Sequence, residues 1–332
     1  DSHVSLCQYG SGWRGMKMWS GMLKSGALAA AFALAIPLAA VPAQALSLYE
    51  EPKYSAILIN PATHEVLYSR RADVPRYPAS ITKVMTLYLA FEALEEGRLK
   101  LTDPVVITRH AAGQPPSRLG LGIGKSLTVE QAIHVIAVKS ANDVAAALAE
   151  KIAGSETVFA AMMTGKARKL GMMNSFFANA SGLPNPAHVT TARDIAILSM
   201  AMLDNYPQYY RYFSEQTYSY GAQTMRNHNK LLGKMPGVDG IKTGYTAAAG
   251  FTLAASATRG GKRLIAVVLG GPSTLARDDN VAALLDAGFD VMDRRTRGER
   301  TTVASNLNEP NDYRLPSGIA VTGEGSGDDA VT

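Results

Sequence analysis

Two short runs rich in apolar and β-branched residues stand near one end of the chain. They are Tyr54-Ser-Ala-Ile-Leu-Ile-Asn60 and Glu65-Val-Leu-Tyr-Ser69, separated by Pro61-Ala-Thr-His64. They predict two strands joined by a hairpin loop. From Ser80 to Glu95 the period changes. Val84, Leu87, Phe91 and Leu94 recur at helical spacing and Gly97 ends the run, predicting a helix with one apolar face. Gly113 to Lys125 is rich in Gly and Pro and reads as a loop. Thr128 and Gln131 form a capping-box pattern that opens a helix ending near Lys139. A further helix covers about Asn142 to Ala153, and another runs from Ser155 to Gly171. Thr191 and Asp194 open an apolar helix that ends before Pro207. Strands follow at Glu215–Tyr220, Phe251–Thr258 and Arg263–Gly270, then a last helix over about Leu275–Met292. Hairpin, helical middle, sheet-forming end and closing helix make an α+β plan: one sheet built from both chain ends, with a helical subdomain inserted.

Composition supports a folded domain over that span. Of the 332 residues, 47% are hydrophobic and 18% charged, which gives enough apolar surface for a core. The net charge of +5 is spread without a dominant basic run. It argues against a nucleic-acid partner and is compatible with an anionic envelope.

The N-terminal pattern changes the picture more. Met16 to Lys24 carries Lys17 and Lys24 and no acid, Ala27 to Ala40 is almost wholly apolar, and Ala43-Gln44-Ala45 follows. This is the three-part pattern of a secretory signal over 16–45, and it predicts export to the periplasm or cell envelope. The uncharged run Ser25–Leu48 is long enough to span a bilayer, so a retained membrane anchor is the alternative. Pro37, Pro42 and the Ala-x-Ala site favour cleavage. Residues 1–15 precede Met16 and are read as an upstream segment. Cys7, the only cysteine, lies there, so the mature chain is expected to use no disulfide, thiolate or cysteine-bound metal. His64, His110, His134, His188 and His228 lack metal-ligand spacing, and helix-surface or loop roles are expected for them; no metal and no cofactor is expected. The folded domain is placed at 46–292, and the polar stretch 293–332 is expected to be disordered.

Three short motifs carry candidate chemistry. Ser80-Ile81-Thr82-Lys83 puts a hydroxyl and an amine one helical turn apart. A lysine whose pKa is lowered can take the hydroxyl proton; the alternative is a serine helix cap. Ser140-Ala141-Asn142 lies between two predicted helices, where a hydroxyl can relay a proton and an amide can hold a substrate; here too a cap is the alternative. Lys242-Thr243-Gly244 precedes the predicted strand Phe251–Thr258. It supplies a positive charge, a hydroxyl donor and a position where a ligand can approach the backbone, or else a simple turn with a solvated lysine.

In this order, S-x-x-K, S-x-N and K-T-G form a set shared by β-lactamases and penicillin-binding proteins. With Tyr77-Pro-Ala-Ser-Ile-Thr-Lys-Val-Met-Thr86, Asn179-Ala-Ser-Gly-Leu-Pro184 and Gly237-Val-Asp-Gly-Ile-Lys-Thr-Gly244, the chain from about Tyr54 to Met292 resembles the low-molecular-mass D-alanyl-D-alanine carboxypeptidases. The resemblance implies a β-lactamase/transpeptidase-like fold and a serine-type carboxypeptidase. Its substrates would be peptidoglycan stem peptides, and β-lactams would acylate it. It implies Ser80 as nucleophile, Lys83 as base, Ser140 as proton relay to the leaving amine and Asn142 as a substrate-backbone contact. Lys242 would supply positive potential and Thr243 would hold the terminal carboxylate. The backbone N–H groups of Ser80 and Tyr245 would form the oxyanion hole beside Gly244. Arg277 matches a family arginine near the carboxylate; its alternative is a helix-surface charge. Tyr245 stands where many relatives have histidine, and His228 lies where relatives often carry arginine. Many relatives add a C-terminal β-domain and an amphipathic helix, and the short polar tail here predicts a one-domain enzyme. The competing functions are an endopeptidase on crosslinks, a β-lactamase and a non-catalytic peptidoglycan-binding module. The stretch Met173–Pro184 contains no acid to direct water, which disfavours the β-lactamase.

Overall fold

The hairpin predicted at the start is present, and its first strand is buried along its whole length. Such a strand lies inside a sheet that is covered on both faces. The computed structural model describes residues 52–307. The expected signal, Cys7 and the chain beyond Leu307 lie outside the described residues. The hairpin is β1 (Ser55–Asn60) and β2 (Glu65–Arg70). A 3-10 turn at Ala79–Ile81 leads into α1 (Thr82–Glu95). Then come β3 (Pro104–Val106), α2 (Arg109–Ala112) and β4 (Ser126–Thr128). The helical middle is α3 (Val129–Val138), α4 (Asn142–Ala153), α5 (Glu156–Leu170) and α6 (Ala192–Asn205). A hairpin of β5 (Thr217–Tyr220) and β6 (Gln223–Arg226) precedes β7 (Val238–Thr246), β8 (Gly250–Arg259) and β9 (Lys262–Gly271). The described chain closes with α7 (Thr274–Thr296) and α8 (Val303–Asn306).

The main sheet is antiparallel in the order β2-β1-β9-β8-β7, so both ends of the domain contribute, as the pattern predicts. Side chains alternate across it with the two-residue period of a strand. Ile57 and Ile59 of β1 join a core with Leu87 and Phe91 of α1 and Ile195 and Leu198 of α6. Ala56 and Leu58, alternating with them, join Val281, Leu284 and Leu285 of α7. β9 repeats the division, with Ile265 and Val267 on the first side and Leu264 and Ala266 on the second. The result is three layers: helical subdomain, sheet, closing helix.

Four local expectations need correction. Helix α1 buries eleven of its fourteen residues rather than one face, because it is enclosed by the sheet and by α3, α4 and α6. The strand expected at Glu215–Tyr220 pairs only with β6 and stands apart from the main sheet. The segment carrying Lys242-Thr243-Gly244 is itself strand β7, nine residues long and at the sheet edge. The polar stretch from Asp293 does not begin as disordered chain. α7 runs on to Thr296, and α8 follows with Val303 buried in the α7-side core. Among the described residues no helix is long and apolar enough to cross a membrane.

Candidate active site

Serine and threonine caps are used freely in this fold. Thr108, Thr128, Ser155, Thr191, Ser273 and Thr302 each accept a backbone N–H at a helix start. Among the described residues two α-helices lack such a cap, and both begin beside a motif serine. α1 starts after Ile81, and α4 starts after Ala141, neither with a side-chain cap. The capping alternatives for Ser80 and Ser140 are therefore overturned, and both hydroxyls are left for other partners. The backbone around them is strained. Ala79, just before Ser80, has φ 49 and Ser140 has φ 63, left-handed conformations that cost a residue with a Cβ about 1–3 kcal/mol.

Lys83 connects the pieces. Its Nζ lies 3.0 Å from Ser80 Oγ, 2.7 Å from Asn142 Oδ1 and 2.7 Å from the Ser181 carbonyl. Burial drives its pKa well below the ordinary lysine value. The charge of Lys242 pushes the same way, while the carboxylates of Glu156 and Asp143 oppose it. Asn142 is fixed in turn: its Nδ2 donates to the Pro115 carbonyl at 2.9 Å and its backbone N–H to Ser117 at 2.7 Å. The Ser140 hydroxyl is buried and has no hydrogen-bond partner among the described residues. Leaving such a group unpaired costs about 1–3 kcal/mol, which fits a hydroxyl reserved for a ligand.

Edge strand β7 supplies a further wall. Lys242 is only 2% exposed, which removes the reading of a turn with a solvated lysine. Burial, then the charge of Arg277, brings its pKa down to about 7. Thr243 and Gly244 line the same cleft. A Cβ on Gly244 would lie 2.6 Å from Thr252 Oγ1 and 2.8 Å from the Ser80 amide nitrogen, so the strand comes up against the nucleophile's own N–H only as glycine. Tyr245 is 57% exposed, with its ring 4.3 Å from that of Phe251. Arg277 is 3% exposed and not a surface charge. Its Nε and Nη2 donate to Asp278 Oδ1 at 2.9 and 2.7 Å, its Nη1 donates to the Thr252 carbonyl at 3.3 Å, and it lines the cleft. His228 also faces the cleft. Its pKa is pulled to about 4 by desolvation and by the charges of Lys242, Lys139, Lys83 and Arg277.

All these groups except Lys83 and Lys242, which are buried behind its surface, line one cleft of about 930 Å3. The sequence reading missed several supports. The Ser181 carbonyl holds Lys83, and Gly182, at φ +83, passes so close to Ala79 that a Cβ would meet its carbonyl. Asn179 Oδ1 accepts from the N–H groups of Ser181, Gly182 and Leu183 and shapes that turn. Asp143 accepts from the N–H groups of Leu119 and Gly120, holding the 113–125 loop over Asn142. His188 is buried rather than in a surface role, its Nε2 2.9 Å from Thr82 Oγ1. A carbonyl acceptor or a turn-forming amide has no residue-type signature, although Asn179, Ser181 and Gly182 fall inside the quoted Asn179–Pro184 motif.

Comparisons with known proteins give the family and the fold. A family model described as D-alanyl-D-alanine carboxypeptidase matches residues 44–273. The D-alanyl-D-alanine carboxypeptidase DacF of Bacillus subtilis is 38% identical over 71% of this chain, which spans only 61% of that relative's length. The structure of penicillin-binding protein 5 from Haemophilus influenzae superposes with a TM-score of 0.69 at 34% identity, over 71% of this chain and 70% of that one. Penicillin-binding protein D2 from Listeria monocytogenes, in an ampicillin-bound form, gives a TM-score of 0.64 at 29% identity, over 74% of this chain and 99% of that one. A lysine-linked serine, an uncapped Ser-x-Asn turn and a K-T-G edge strand around one cleft thus occur in a chain that belongs to the D-alanyl-D-alanine carboxypeptidase family.

Proposed function

We propose that the chain is a serine-type D-alanyl-D-alanine carboxypeptidase that removes the terminal D-alanine from peptidoglycan stem peptides and is acylated by β-lactams. The observation that carries this reading is the partner set of Lys83. A neutral amine has two N–H groups and one lone pair. Two of its three partners, Asn142 Oδ1 and the Ser181 carbonyl, can only accept, and the third, Ser80 Oγ, carries a proton it can give. The neutral form therefore satisfies all three contacts with its lone pair toward the Ser80 hydroxyl.

In the proposed reaction that proton passes to Lys83 as Ser80 Oγ attacks the carbonyl between the two D-alanines. The Ser80 and Tyr245 amides meet the developing oxyanion, where one such donor is worth about 3–4 kcal/mol. Ser140 passes a proton to the departing amine, and water then releases the shortened peptide from Ser80. Thr243 and Arg277 hold the free terminal carboxylate through charge-assisted donors, and Lys242 adds positive potential from behind the cleft surface. A buried guanidinium that faces the cleft supports a carboxypeptidase over an endopeptidase, whose substrate lacks that free terminus. The β-lactamase reading is less well supported. Two acids reach Met173–Pro184, and both are engaged there: Glu156 by the Ala180 N–H and by His110, and Asp194 by the Asn174 N–H and the Ser175 hydroxyl. The 16–45 pattern supports export to the periplasm or envelope, with cleavage after Ala45.

The test is D-alanine release from a pentapeptide ending in D-Ala-D-Ala, run beside a crosslinked dimer, with intact-mass analysis after benzylpenicillin. Release from the pentapeptide and one persistent adduct, lost in Ser80→Ala, are expected. Preference for the dimer would favour the endopeptidase, and rapid multiple turnover of penicillin would favour the β-lactamase.

A further inference from the structure

Ser80 sits in a strained turn. Ala79, before it, has φ 49, and α1, after it, starts without a side-chain cap. A conformation of that kind persists only where its surroundings over-determine it. One strip of chain, His188 to Thr190, grips the turn on both sides. Ahead of the turn, the Arg76 N–H donates to the Thr190 carbonyl at 2.7 Å and the Thr190 N–H to the Arg76 carbonyl at 2.8 Å. Behind it, His188 Nε2 lies 2.9 Å from Oγ1 of Thr82, the first residue of α1. The strip is itself held. Phe176 and Val189 exchange backbone hydrogen bonds at 2.9 and 3.0 Å, and the His188 N–H donates to the Asn185 carbonyl at 3.0 Å. The His188 ring stands edge-on to Phe177, with centroids 5.5 Å apart.

The hydrogen bonds decide which ring nitrogen carries the proton. The Ala178 N–H, which can only donate, meets Nδ1 at 3.3 Å. Nδ1 is therefore the acceptor, and a neutral ring has its proton on Nε2, from which it is donated to Thr82. Burial favours the neutral ring and pulls its pKa to about 4. Further along α1, Lys83 Nζ and Thr86 Oγ1 donate to the Ser181 and Ala180 carbonyls at 2.7 and 2.6 Å, so the helix start is tied to the 178–188 segment at three points. His188 is 2% exposed and does not line the active cleft, so it does not meet substrate. We infer that His188 is a positioning residue for the nucleophile. Through its Nε2–H bond to Thr82 it closes the second half of a clamp, begun by Arg76 and Thr190, that holds Ser80 within reach of Lys83. The inference rests on the reading of Ser80 as nucleophile and adds a residue outside the three motifs.

Two substitutions remove the bond from either end with little change of shape, His188→Met and Thr82→Val. Each should slow acylation of Ser80 by a fluorescent penicillin by about tenfold to a hundredfold, the scale of a nucleophile displaced by up to about an ångström. For D-alanine release, kcat/KM reports the same acylation step and should fall in parallel. His188→Gln, which keeps an N–H donor at the Nε2 position, should stay within about threefold of wild type. The double variant His188→Met/Thr82→Val should be no slower than the slower single one, since both break one bond. Nitrogen NMR of enzyme labelled in its histidine rings, with His188 assigned by the signals lost in His188→Gln, should show a neutral ring protonated on Nε2. A ring protonated on Nδ1, wild-type acylation rates in His188→Met, or losses that multiply in the double variant would overturn the inference. So would His188→Gln as slow as His188→Met, which would reduce His188 to packing. If His188→Met does not fold, Thr82→Val, His188→Gln and the NMR spectrum still decide. A wild type that penicillin does not acylate overturns the carboxypeptidase reading, whereas an acylated wild type with unaffected variants overturns the clamp alone.

Discussion

The helical side of the cleft and its edge-strand side each bury one lysine, and the two settings differ in kind. Lys83, on α1, has three fixed partners, one of which is a hydroxyl able to give up a proton. Lys242, on β7, has one protein acceptor among the described residues, the Thr243 carbonyl at 3.1 Å. Desolvation is the first cause of the lowered pKa in both. A protonated Lys83 would have to point an N–H at the nucleophile it is meant to deprotonate. A protonated Lys242 has N–H groups to spare for an anionic ligand. Burial alone therefore does not tell a base from an anion anchor; the partner set does.

The same substitution at both positions is the strongest way to break this comparison. Arginine keeps the cation but cannot act as a base at ordinary pH. Lys83→Arg should slow acylation of Ser80 by about a thousandfold, the scale of a lost general base. Lys242→Arg, which keeps the charge, should lose no more than about tenfold. Stopped-flow acylation with a fluorescent penicillin reads both, and equal losses would mean that the two lysines do the same job.

Gly244→Ala tests the edge-strand side through its shape and leaves its charge alone. The added Cβ would crowd the Ser80 amide and Thr252 Oγ1 and shift the strand off the oxyanion position. A fall in kcat of about a hundredfold, with KM changed far less, is expected for a lost oxyanion donor. A variant that loses only KM would place Gly244 in binding instead.

The smallest effect is a shift in pH dependence, and it sharpens the comparison most. Acylation needs Lys83 neutral, so the rate should fall as pH drops through its lowered pKa. The Lys242 charge is the second cause of that lowering. Removing it in Lys242→Gln lets the Lys83 pKa rise, so the acid limb should move to higher pH. On the alkaline side, Lys242 in the free enzyme loses its proton above about 7. KM for a peptide with a free terminus should then climb above that pH in wild type and stay flat in Lys242→Arg. An acid limb unmoved in Lys242→Gln would mean that the two lysines titrate independently.

Sequence by itself determined whatever rests on neighbouring residues. Thr128 with Gln131, Ser155 with Gly171, and Thr191 with Asp194 mark helix ends because a cap closes its hydrogen bonds within three or four positions. The α+β order, the sheet drawn from both chain ends and the serine, lysine and asparagine of the three motifs were legible for the same reason. What only the tertiary structure decided depends on distant partners. β7 is rich in glycine and charge and resembles a turn when read alone; it is a strand because β8 supplies its ladder. The surface-charge alternative for Arg277 falls only when Asp278 and the Thr252 carbonyl are seen to enclose it. Ser80 and Ser140 could have been caps, and only their folded backbone withholds them from that use. Lys83 has an acceptor 98 residues away, the carbonyl of Ser181. Every residue carries such a carbonyl, so no letter in the sequence marks the one that holds the base.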